Sequence, residues 1–226
     1  MQEFKKTLNV TAVFGILSFA TLPVTVMLYF MYTDEAVAPP VWNVLLRTLI
    51  SIFALLFTVV FFSGFKHTLK SVTKDCYWPV SLMYTLVCIW VATAFVAHSL
   101  EAGGVYNPDG AAVDATQDGV LAQGNYLLYG SIGRMLMAAF MVLAGLVTFK
   151  TKIFPKWTGW VAVAIGAVNA AFIPSMFCGT NAGDFYSAIG WGNSAVAAGL
   201  FTVWVFIISI VMLKDKHKYA PLAGNE

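Results

Sequence analysis

Apolar residues in this chain come in blocks separated by short polar stretches. The blocks fall near residues 9–32, 41–63, 78–99, 125–149, 157–177 and 186–213, and a run of about 20 such residues crosses a hydrocarbon core of ~30 Å as an α-helix. A transmembrane β-barrel would instead show segments of ~10 residues alternating between apolar and polar, and no such alternation runs along the chain. The pattern predicts an all-α, polytopic membrane protein, a single transmembrane domain over residues 1–226 with six transmembrane helices. Lys5 and Lys6 before the first block and Ala36-Val37-Ala38 after it have the layout of a secretory signal. The apolar core exceeds the usual 7–15 residues, however, and Pro39 would follow the cut, so the block reads as span one.

Composition agrees: 59% of the residues are hydrophobic and only 11% charged, where a soluble domain carries roughly 25% charged residues. A soluble enzyme, a nucleic-acid binder and a disordered scaffold are thereby excluded. A net charge of +2 is too small to name an anionic partner, so the charges inform only by position. Eleven of the thirteen basic residues flank one side of the spans: Lys5 and Lys6, then Lys66, Lys70 and Lys74, then Lys150, Lys152 and Lys156, then Lys214, Lys216 and Lys218. Short cytoplasmic loops retain this excess, which predicts that the N- and C-termini are cytoplasmic. The other side carries Asp34, Glu35, Glu101, Asp109, Asp114, Asp118 and Asp184. Its longest connection, the outer acidic loop 100–124, holds the turn signal Asn107-Pro108-Asp109-Gly110 and a stretch, 111–122, suited to a short interfacial helix. These carboxylates are too sparse for a calcium loop, and no metal is expected. Tryptophans and tyrosines at 29, 32, 42, 78, 126, 157, 160 and 186 fall mostly at span ends, as membrane-interface anchors do.

In lipid, helices approach through small residues. Ala162, Gly166 and Ala170 form such a stripe on span five, Gly190, Ser194 and Ala198 another on span six, and Gly130, Ala138 and Gly145 a third on span four. Span two, with Phe53, Leu56, Phe57, Val60 and Phe61, is bulky and suited to facing lipid or another subunit. Two sets of three spans permit an inverted repeat, although no residue pattern of the first set recurs in the second.

Polar groups inside spans are costly, roughly 2.5–3.5 kcal/mol for an arginine at a helix centre, and mark functional sites by default. At 1.5 Å per residue, Arg47 and Arg134 lie roughly 9 and 13 Å below the outer surface, Thr25 and Asn193 roughly 10 Å, and Asn169 roughly 12 Å. Five groups from five spans thus share one level, and His98, Glu101 and Asp184 lie just above it. The inner half offers only aliphatic, aromatic and small residues plus hydroxyls that can bond their own helix. The expectation is a polar pocket open to the outer side and sealed from the inner one, with Arg134, Arg47, Asn169, Asn193, Thr25 and His98 as candidate ligand-binding residues. Three counter-charges are open to the arginines: inward-dipping Glu101 or Asp184, headgroups reached by snorkelling, or an anionic ligand. The two asparagines suit interhelical hydrogen bonds as well as ligand contacts, and His98 is either an interfacial histidine or a proton-sensitive one.

Several chemistries lack their residues. His67 and His217 sit among lysines, which leaves no bis-histidine haem site in the membrane. Cys76, Cys88 and Cys178 form no C-x-x-C. There is no phosphate loop, H-E-x-x-H or G-x-S-x-G, no mid-span carboxylate for ion coupling and no mid-span lysine. No catalytic residue and no cofactor is expected, and an intramembrane enzyme has the least support.

The entry to span five, Phe154-Pro155-Lys156-Trp157-Thr158-Gly159-Trp160 followed by Gly166, resembles small bacterial six-helix integral membrane proteins of a family of unknown function, in which a basic loop runs into P-x-W-x-G-W. The likeness covers about residues 125–213 and implies a bacterial inner (plasma) membrane location without assigned catalysis. The leading expectation is a non-enzymatic protein that binds or transports a small anionic or amphipathic molecule, including lipid. The alternative is a structural or accessory subunit of a larger membrane complex. The partners expected are membrane lipids, an anionic small molecule, and a second copy or a membrane-complex subunit, with no nucleic acid.

Overall fold

The computed structural model of the chain describes residues 2–32, 39–71, 76–106, 124–125, 127–181 and 183–219, the side chains of residues 2 and 215–219 apart. Six helices are long and apolar enough to cross a membrane, and no strand occurs among the described residues. In chain order they are α1 (Gln2–Phe30), α2 (Val41–Lys70), α3 (Tyr77–Gly104), α4 (Gly133–Thr151), α5 (Lys156–Phe172) and α6 (Ala198–Tyr219). A π-helical turn leads into α4 (Leu128–Ile132) and another into α6 (Gly192–Ala197), while α5 ends in a 3₁₀ turn (Ile173–Phe177). The expected interfacial helix at 111–122 lies outside the described residues.

Local chemistry sets the boundaries. Pro40, at φ −64° and ψ 150°, is extended and opens α2, because a proline cannot be preceded by more helix without a clash. Lys152 takes a left-handed φ of 54° and donates its N–H to the Thr148 carbonyl, closing α4 as such caps do. Pro155 then precedes α5, where the Thr158 hydroxyl returns a hydrogen bond to the Pro155 carbonyl at 2.8 Å. Some helices outrun their apolar blocks: α1 begins at Gln2, α2 runs on to Lys70, and α3 continues to Gly104. Residues 186–191, expected in the last span, instead form a folded connection in which the Trp191 N–H meets the Asp184 carbonyl.

Consecutive helices pack side by side and α1 closes the ring against α6. Small residues make the α4–α5 contact: a Cβ on Gly145 would sit 2.8 Å from the Gly159 carbonyl oxygen, and one on Gly166 3.1 Å from that of Ala138. The expected stripes are only partly buried, since Ala170 and Ser194 are exposed; the helical period carries them past the contact. On α2 the bulky residues divide. Phe53, Leu56 and Val60 face outward, whereas Phe61 is fully buried, so a single helix serves both lipid and core.

The middle of the ring is closed by aromatic side chains. Phe62 of α2 stacks on Phe201 and Trp204 of α6 with centroids 6.1 and 6.4 Å away, and meets Phe140 of α4 edge-on at 5.8 Å. Trp204 is fully buried and satisfies its indole N–H on the Thr158 carbonyl at 3.0 Å, as a buried tryptophan requires. Phe62 lies fifteen residues along α2 from Arg47, about 22 Å nearer the lysine-rich end. That placement puts an aromatic layer between the arginines and the lysine-rich end.

Candidate functional site

At the end opposite the lysines, buried polar side chains from α2, α3, α4 and α5 connect into one chain, joined at its edge by the exposed Tyr29 of α1. Because α3 continues to Gly104, Glu101 is a helical residue only 1% exposed. This corrects the outer acidic loop 100–124, whose first residues are helix. It also supplies the carboxylate that the spans lacked in the sequence reading. Arg47, 3% exposed, donates Nε–H to Glu101 Oε1 at 3.0 Å, and its guanidinium lies 4.3 Å from the centroid of the Tyr29 ring, a cation–π distance. The Tyr29 hydroxyl also donates to Glu101, at 3.2 Å. The counter-charge of Arg47 is therefore internal. Asp184 is exposed and accepts a hydrogen bond from Asn181 at 3.4 Å, so it does not dip inward.

One turn back on α3, His98 extends the chain. Its Nδ1 lies 3.4 Å from Glu101 Oε2, and the Tyr129 hydroxyl meets the imidazole 2.6 Å from Nδ1. The Tyr129 carbonyl then accepts from Nε and Nη2 of Arg134, both at 3.3 Å. This is possible because the chain leaves the α-helical path at Gly130 (φ −74°, ψ −109°), freeing a carbonyl that a regular helix would use itself. Nη1 of Arg134 donates to Asn169 Oδ1 of α5 at 3.2 Å, and Asn169 Nδ2 donates to the Ile165 carbonyl at 2.9 Å. Arg134 is 3% exposed and Asn169 fully buried.

The structure thus joins Arg47, His98, Arg134 and Asn169. Asn193, 2% exposed, belongs to a neighbouring set: its Nδ2 donates to Ser175 Oγ at 3.0 Å and to the Ala188 carbonyl at 2.9 Å, and a Cβ on Gly130 would lie 3.4 Å from it. Thr25 stays outside, because its hydroxyl donates to the Thr21 carbonyl at 3.0 Å on its own helix, the usual resort of a hydroxyl within a span. At the start of α2, Asn43 Oδ1, Arg47 Nη2 and Thr48 Oγ1 are buried and have no hydrogen-bond partner among the described residues.

Among the described residues the charges do not balance. Arginine stays protonated in proteins, so Arg47 and Arg134 face the single carboxylate of Glu101, and that carboxylate is bound to Arg47. Every acceptor on Arg134 is neutral, and no described carboxylate reaches it. A desolvated guanidinium held by carbonyl dipoles and an amide is suited to an anionic oxygen, which binds such a fork with both charge and direction. Among the described residues no three metal-ligating side chains cluster. Sequence reasoning took Tyr29 for an interface anchor only and did not single out Tyr129. No family model, no curated protein and no solved structure matches the chain.

Proposed function

We propose that the chain is a non-enzymatic integral membrane protein that binds or transports a small anionic or amphipathic molecule, lipid included, at the end opposite the lysines, with Arg134 as the electrostatic anchor. The observation that carries this reading is the charge left unmatched among the described residues: a guanidinium 3% exposed, whose described hydrogen bonds all run to neutral acceptors. A bare buried charge of this kind is tolerated only when something offsets its desolvation. Since Arg47, His98, Glu101, Arg134 and Asn169 are at most 5% exposed, the occupant enters by parting the helix ends, and the break at Gly130 stands beside the anchor. The lysine-rich end and the P-x-W-x-G-W entry support a bacterial inner membrane with both termini in the cytoplasm. Native mass spectrometry of the protein extracted gently from its own membrane tests the reading. The expected result is a defined anionic mass retained by the wild type and lost in Arg134→Gln. Stoichiometric partner polypeptides without such a mass would make the chain an accessory subunit instead.

A further inference from the structure

Away from the arginines, at the lysine-rich end, two adjoining grooves of about 560 and 530 Å³ share Glu3, Thr7, Ser63 and Gly64 between α1 and α2. They arise because α1 and α2 touch there: a Cβ on Gly64 would overlap the Thr11 side chain, and the small residues at the contact leave hollows on either side. The grooves are amphipathic along their length. Glu3, Lys6 and His67 line the outer part, and all three are exposed. Val10, seven residues or about 10 Å further along α1, and Val60 opposite it line the deeper part. A polar mouth at headgroup level above an apolar trough matches a glycerophospholipid standing in its leaflet.

The charges select among headgroups. Lys66 and Lys70 are drawn onto α3, their ammonium groups 4.3 and 3.4 Å from the ring centroids of Tyr84 and Tyr77. Among the described residues lining the mouth there remain one ammonium (Lys6), one carboxylate (Glu3) and one imidazole (His67). We propose that this groove binds a zwitterionic aminophospholipid, its phosphodiester on Lys6 and His67 and its primary ammonium on Glu3. Phosphatidylglycerol carries the same phosphodiester but no ammonium, so Glu3 would face that anion without a counter-charge. A quaternary ammonium would lack the N–H groups that a carboxylate accepts. The site is independent of the Arg134 reading and shares no residue with it.

The test uses the full chain in nanodiscs of phosphatidylcholine containing equal parts of phosphatidylethanolamine and phosphatidylglycerol, with retained lipids counted by native mass spectrometry during stepwise delipidation. Wild type retains phosphatidylethanolamine preferentially. Glu3→Gln lowers that preference roughly two- to fivefold, the range an exposed ion pair supports. Lys6→Gln weakens retention of phosphatidylethanolamine and phosphatidylcholine alike, and Lys150→Gln, exposed at the same end on α4, changes neither. Equal retention of the choline and ethanolamine lipids, preference for phosphatidylglycerol, loss of all lipids at the first step, or an unchanged preference in Glu3→Gln would each overturn the proposal. Because Glu3 and Lys6 are exposed, neither substitution disturbs the core, and an unchanged unfolding curve verifies this.

Discussion

Replacing Glu101 by glutamine removes a charge while keeping size and a hydrogen-bond acceptor. Glu101 is 1% exposed and receives Arg47 at 3.0 Å, Tyr29 at 3.2 Å and His98 at 3.4 Å. The amide can retain one or two of these contacts, so the loss is chiefly that of the counter-charge to Arg47, which is itself 3% exposed and whose Nη2 has no partner among the described residues. Breaking a buried ion pair from one side costs about 3–5 kcal/mol, a change of two to three orders of magnitude or more in the folding equilibrium. Removing both charges, in Arg47→Gln/Glu101→Gln, leaves two neutral amides facing each other and restores much of that loss, with a coupling energy of roughly 1–3 kcal/mol. Unfolding in dodecylmaltoside–SDS mixed micelles, followed by far-UV circular dichroism, measures all four members of the cycle. Single variants that each cost less than ~1 kcal/mol and add to within ~0.5 kcal/mol in the double would refute the buried pair.

Two further outcomes follow from the helix contacts and the termini. Gly145→Ala pushes a methyl group against the Gly159 carbonyl and should destabilise by about 1–3 kcal/mol, whereas a Cβ on Gly199 meets nothing within 4 Å, so Gly199→Ala should be neutral or stabilise by up to ~1 kcal/mol; the same unfolding assay compares them. Cys178 is exposed beyond α5 while Cys76 is 2% exposed at the lysine-rich end. A membrane-impermeant maleimide applied to intact cells should therefore label the wild type and leave Cys178→Ser unlabelled, and labelling only after permeabilisation would reverse the assigned orientation.

The spans were legible because the constraint behind them is blunt: a backbone in hydrocarbon must satisfy its own hydrogen bonds, so each block of apolar residues becomes a helix. Arg47 and Arg134 stood out for the same reason, as charges in apolar surroundings. What the pattern hid was the end of α3. Glu101-Ala102-Gly103-Gly104 reads as the start of a loop, since glycines are weak helix formers, yet the helix continues and carries the carboxylate into the bundle. Tyr129 was hidden differently. Its backbone carbonyl, exposed by the non-helical Gly130, is what holds Arg134, and no side-chain pattern encodes a free carbonyl. Thr25 was singled out by depth alone, and depth does not say that a hydroxyl one turn from an available carbonyl bonds to it.

The Arg134 guanidinium, which meets no carboxylate among the described residues, also sits in an electric field. Arg134 lies six residues into the 24-residue apolar segment Leu128–Thr151, about a quarter of its length, and a unit charge carried across a whole membrane changes energy by about 2.3 kcal/mol per 100 mV. Moving the Arg134 charge between its place and the near surface is therefore worth roughly 0.6 kcal/mol per 100 mV, and an anion that neutralises it removes that term. Occupancy and membrane voltage are thus linked quantities here, and the sign of the link is set by which face of the membrane the arginine is nearer.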